Sequence, residues 1–209
     1  TLRELMGAEA LSLMFYDDPE LIADIAAHYL AEVREHVFPL IERLKPEIVD
    51  IGEDLCYNHG MLLSPAQFET FFSRHYSEVS QCARVNGAAM VAVDTDGNAM
   101  EYVPLARRYG INAVFPFEVK SGNDLFALRK AYPDFIFFGW LEKEVVNEGN
   151  EAMIRPEIMS KVPSLLEKGG YFPNGDHGIQ PLVTFPNLFK FMTLLHEVCN
   201  NPEGEFPRG

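Results

Sequence analysis

The chain is short of cysteine, of positive charge and of long apolar runs, and each shortage excludes something. Its three cysteines, Cys56, Cys82 and Cys199, are far apart and odd in number, so no disulfide framework is expected. They read as reduced thiols of a cytoplasmic protein. Cys82 and Cys199 fall in helical patterns and read as core packing, because free thiols are usually buried. Cys56 follows the acidic pair Glu53 and Asp54, and its role stays open. Lysine and arginine number 17 against 31 aspartates and glutamates, a net charge of −14. Such a chain repels phosphate, which argues against nucleic acid or an anionic membrane as partner. No stretch approaches the roughly 20 apolar residues that a bilayer span needs, and no signal peptide is expected. There is no glycine-rich phosphate fingerprint, no low-complexity segment and no clear linker. The segment 1–7 already reads as helix or loop, so the start of the natural protein is expected upstream.

What is present is a core and a repeating pattern. Hydrophobic residues make up 47% of the 209 positions, enough for a sizeable interior. We expect a single domain over 1–209. The stretch Val91-Ala-Val-Asp94-Thr-Asp96-Gly97-Asn98 reads as a strand buried on both faces that ends in two carboxylates and a turn. Further strands are expected at 47–52, 113–117, 135–138 and 171–177. Helices alternate with them. Asp18 and Pro19 open a helix kinked near Pro39 and stopped at Lys45-Pro46. Ser64 and Pro65 open another that runs to Val85, with Gly87 as its stop. Others are expected at 100–109, where Pro104 splits the first turn, at 123–132, at 150–168 with a break at Arg155-Pro156, and at 185–200. The tail after Asn201 reads as loose. Nothing suggests hairpins. Strands that alternate with helices build a parallel sheet with right-handed crossovers, an α/β fold.

The chemistry collects where the strands end. Glu53 and Asp54, Asp94 and Asp96, Glu118, Glu142 and Lys143, and Asp176 and His177 follow the five strands in turn. Parallel strands bring their carboxyl ends to one face, where barrels and open α/β sheets keep their sites. A single acidic strand end is usually a cap. Five in succession are harder to explain that way, since Ser, Thr or Asn caps a helix without repulsion. Two carboxylates as close as Asp94 and Asp96 call for a cation, a proton or a donor between them. His177 stands in a glycine- and proline-framed exit, Asp-His-Gly-Ile-Gln-Pro181. It is a candidate proton carrier or ligand, or a histidine bonded to a nearby carbonyl. His28, His36, His59, His75 and His196 read as ordinary surface or interface residues. Lys143 is either an anion binder or a partner for Glu142. Trp140 either walls a pocket or fills the core.

The segments LRELMG, DPELI, EDLCYNHGMLLSPAQFETFF, VAVDTDGN, PFEV, LRKAYPDF, GWLEK and EKGGYFPNGDHGIQPLVTFPNLFKF carry a resemblance across nearly the whole chain. The sequence resembles the uroporphyrinogen decarboxylase-like family. That family contains the haem-pathway decarboxylase and methyltransferases that move methyl groups from corrinoid proteins to thiols. The resemblance implies the C-terminal five βα units of a TIM (β/α)8 barrel, with a parallel sheet, outer helices and the first strands missing. In the decarboxylases an arginine-bearing N-terminal segment and an early aspartate bind the substrate; neither can be located here. His177 matches the histidine that lines the decarboxylase site. In the methyltransferases a His-x-Cys pair and a later cysteine hold zinc. Here Asp94-x-Asp96 stands at the first position and His177 near the second, so the thiolates are absent and a harder ion is favoured.

These readings give three functional expectations. The first is methyl transfer to or from a small molecule. Its catalytic residues are His177, Asp96 and Asp94, and the last three would also hold a divalent metal, zinc or magnesium. Glu53, Asp54, Glu118, Trp140, Lys143 and Asp176 bind substrate, and a corrinoid protein is the methyl donor. The second is uroporphyrinogen decarboxylase of porphyrin biosynthesis. An eight-carboxylate substrate would meet an acid-lined mouth in which Lys143 is the one evident cation. The third is a non-catalytic barrel fragment that binds a partner chain. Five barrel strands leave two open edges, so a homodimer partner or the missing N-terminal segment is expected to cover them.

Overall fold

The computed structural model describes residues 2–200. The fold is α/β: five strands form a parallel sheet in the order β1-β4-β5-β6-β7. The five are β1 (Ile48–Gly52), β4 (Met90–Asp94), β5 (Ala113–Phe117), β6 (Ile136–Leu141) and β7 (Tyr171–Gly175). No helix among the described residues is long and apolar enough to cross a membrane. The chain divides into two compact units within β5, one up to Val114 and one from Phe115 onward.

The first unit opens with α1 (Leu2–Met6), α2 (Ala8–Asp17) and α3 (Pro19–Glu32). Asp18 caps α3 as its composition requires, its carboxylate accepting from the Leu21 N–H at 3.0 Å. The kink expected at Pro39 is a π-helical turn, Val33–Val37, followed by α4 (Phe38–Leu44) with Pro39 in its first turn. Widening the turn ahead of a proline spares a clash between its ring and the preceding carbonyl. Lys45 stops α4 in the left-handed region, φ 47°.

β1 then alternates in exposure, whereas Met90, Val91, Ala92 and Val93 of β4 are all buried. An outer strand beside a central one gives that contrast. The two pair in parallel, with Gly52 opposite Asp94. Between them lies a small antiparallel hairpin, β2 (Cys56–Tyr57) with β3 (Gly60–Met61), which corrects the expectation of no hairpins. Its two-residue turn, Asn58-His59, is short enough to join antiparallel strands.

The single helix expected from Pro65 to Val85 is two, α5 (Pro65–Phe71) and α6 (Ser73–Val85), broken at Phe72. The Ser64–Gln67 capping box fixes its start. The helix α7 (Tyr102–Arg107) takes Pro104 in its first turn. Phe68, Tyr76 and Tyr102 are wholly buried and meet edge to face.

The second unit contains α8 (Leu125–Ala131), β6, α9 (Lys143–Glu148), α10 (Glu151–Leu166), β7 and α11 (Phe185–Val198). Three corrections arise here. β6 runs on through Gly139 and Trp140 to Leu141, beyond the expected end at Phe138. α9 has no counterpart among the expected elements. α10 continues through Pro156 without a break. Pro156 and Pro163 stand seven residues apart on its exposed face, while Ile154, Ile158, Val162 and Leu165 are buried on the other. On that face solvent can reach the carbonyls the prolines leave without donors, which lets the helix continue. The tail after Asn201 lies outside the described residues.

Candidate functional site

In the first unit the register of β1 and β4 sets the geometry. The Glu53 N–H donates to the Asp94 carbonyl at 3.1 Å, so Glu53 and Asp54 leave β1 level with the end of β4. Thr95 is fully buried between the two aspartates of the motif. Its hydroxyl accepts from the Leu55 and Cys56 N–H groups, each at 3.1 Å, and holds the β1 exit in place. The Asp96 N–H donates to Asp54 Oδ1 at 3.3 Å, and Arg3 donates to Asp54 Oδ2 at 2.7 Å. Gly97, at φ 81°, lies so close to the hairpin that an added Cβ would sit 2.5 Å from the Tyr57 backbone. Glu4, Glu53, Asp54 and Asp94 then line a cavity of about 170 Å³ with Arg3. Cys56, at the start of β2, is buried, and burial pushes its thiol up to about 12. It is therefore protonated at neutral pH and offers no thiolate.

In the second unit the ionisable groups are tied to one another. Glu118 accepts from Lys143 Nζ at 3.2 Å and from the Ser121 hydroxyl at 3.0 Å. Lys143 thus pairs with Glu118 and not with its neighbour Glu142, which pairs with Lys120 at 3.2 Å. Adjacent residues at a helix start point apart, which separates Glu142 from Lys143. Asp176 is 2% exposed and accepts from the backbone N–H groups of Val119 at 2.8 Å and Lys143 at 3.0 Å. It thereby clips the exit of β5 to the start of α9. Burial, only partly offset by those two donors, raises its carboxyl above the ordinary range. Trp140 is buried, with its indole N–H donating to the Asn123 carbonyl at 2.9 Å and its ring edge-on to Phe126. This is the core tryptophan that the sequence left as one of two readings. Its φ of 62° is unusual for a bulky residue, and Lys161 holds its carbonyl at 3.0 Å. His177 shares a cavity of about 60 Å³ with Lys143, Asn174 and Gln180.

The structure therefore brings Glu53, Asp54, Asp94 and Asp96 together in one unit, and Glu118, Lys143 and Asp176 together in the other. Arg3, Thr95 and Ser121 contribute to these clusters without any signal in their local sequence. Their roles depend on partners as much as 51 residues away, as for Arg3 and Asp54. No protein-family model and no curated protein matches the chain.

Proposed function

We propose that the chain is an enzyme of the uroporphyrinogen decarboxylase-like family, its sheet part of a (β/α)8 barrel, which transfers a methyl group between a corrinoid protein and a small molecule. The observation that carries this reading is the cavity formed by Glu53, Asp54 and Asp94 at the ends of β1 and β4, whose one guanidinium, Arg3, is already paired with Asp54. An acid-lined cavity suits proton transfer and a substrate with little negative charge. It repels a substrate with eight carboxylates, which counts against decarboxylation of uroporphyrinogen. Lys143, the cation the sequence offered for that role, is engaged by Glu118.

In this reading Glu53 or Asp94 takes the proton of an acceptor thiol. The thiol sulfur takes the methyl group from cobalt, and the electron pair of the broken cobalt–carbon bond stays on the corrinoid. A divalent metal would lower the acceptor's pKa. Asp94 and Asp96 would hold it, and carboxylates with a protonated Cys56 fit a magnesium-like ion better than a thiolate-bound zinc. The test is the full chain incubated with methylcobalamin and a thiol, following loss of methylcobalamin and appearance of the methyl thioether. Asp94→Asn is expected to lower turnover by about 100-fold. Decarboxylation of uroporphyrinogen without methyl transfer would favour the decarboxylase. Neither activity would favour a barrel fragment that binds a partner chain.

A further inference from the structure

The first unit has a second cavity, of about 380 Å³, with a different character. Its volume falls in the range of small-molecule pockets, roughly 300–1,000 Å³. The rings of Tyr29, Phe71, Phe72 and His75 wall it, and Tyr29 and His75 approach to 5.3 Å between centroids. Glu4, Glu32 and Glu53 also line it, and among the described residues no lysine or arginine does. Two histidines are present. His28 is exposed and lies 3.8 Å from Glu32. His75 is largely buried, and its Nδ1 has no hydrogen-bond partner among the described residues. Burial pushes the His75 imidazole below its ordinary value, so the ring is neutral at pH 7 and does not repel a cation.

We infer that this cavity binds a small organic cation: an apolar, preferably aromatic, body with a single ammonium group. The body is taken by the aromatic wall. The charge is matched by the carboxylates and by the π faces of Tyr29, Phe71 and Phe72. A neutral ligand of the same shape gains only the apolar half of the site, and an anion is repelled. The cavity shares Glu4 and Glu53 with the carboxylate cluster but does not rest on the methyl-transfer reading.

The test compares 2-phenylethylammonium with 2-phenylethanol by calorimetric titration of the full chain. The cation is expected to bind about tenfold tighter at low salt, and the difference should shrink as salt is added. Glu32→Gln should weaken the cation about threefold and leave the alcohol unchanged. Ala26→Trp fills the cavity from α3 and should abolish binding of both; circular dichroism checks that each variant is folded. Equal binding of alcohol and cation would overturn the proposal. So would undiminished cation binding in folded Ala26→Trp, or no binding of the cation up to about 10 mM. Neither variant touches Glu53 or Asp94, so failure here leaves the methyl-transfer reading standing, and the converse holds.

Discussion

The two units end their strands in similar residues and use them differently. In the first, the exits of β1 and β4 are held by backbone, by a buried threonine and by Asp54, which accepts from the Asp96 N–H, while Glu53 and Asp94 line a cavity of about 170 Å³. In the second, the carboxylates are themselves the fastening: Asp176 clips two backbone segments and Glu118 is held by Lys143 and Ser121. Acidity at a strand end therefore has two meanings. Where the carboxylate lines a cavity, it is placed to meet a ligand. Where the carboxylate does the securing, its chemistry is committed to the fold.

The sharpest way to break the first arrangement is Gly97→Ala. The new Cβ would meet the Tyr57 backbone at 2.5 Å with φ at 81°, so the hairpin or the Asp96 turn must move. We expect a loss of about 4 kcal/mol in urea unfolding. Asp176→Ala breaks the second arrangement and leaves two backbone N–H groups without their acceptor, at a cost of about 3 kcal/mol. Asp176→Asn keeps one acceptor oxygen and should lose less.

Asp176 also predicts a pH dependence. Its carboxyl is raised from 3.8 in the folded state, so the folded chain holds this proton where the unfolded chain has released it. Its contribution to stability is thus greatest in acid and declines as pH rises from 3.8 through the raised value. Asp176→Asn should remove that part of the slope, and urea midpoints compared across this range check it.

Tyr102→Phe removes the 3.0 Å bond to the Tyr76 hydroxyl in the first core, and about 1.5 kcal/mol is expected in thermal unfolding. The smallest effect is that of Arg3→Ala. The Arg3–Asp54 pair is exposed, with side chains 44% and 37% accessible, and its loss should cost under about 1 kcal/mol. A larger loss would mean that the ion pair, and not only the Asp96 N–H bond, fastens this turn.

Much of the fold was legible because its signals are local. Residues 113–117 read as a strand and form one, and Asp18-Pro19 and Ser64-Pro65 open helices as expected. The hairpin at Cys56–Met61 escaped notice because two-residue strands carry too little alternation to see. α9 escaped because its Lys143-Glu144 start reads as the end of a polar loop; its N-terminus is fixed by Asp176, distant in sequence. Pro156 of α10 misled because local propensity does not say which face of a helix will meet water. Of the site, the strand-end carboxylates were visible one by one. Which of them are tied to Lys143, to backbone or to Arg3 depends on tertiary pairing, and no local pattern carries that.

The central claim is that the cavity-lining carboxylates of the first unit do chemistry while those of the second hold structure. Asp94→Asn and Asp176→Asn, compared for methyl transfer from methylcobalamin and for urea midpoint in the same preparations, test it most directly. The account predicts that Asp94→Asn loses about 100-fold in turnover with its midpoint nearly unchanged, and that Asp176→Asn lowers the midpoint while the folded fraction keeps its turnover. The reverse pattern, or equal losses of turnover in both, would contradict it.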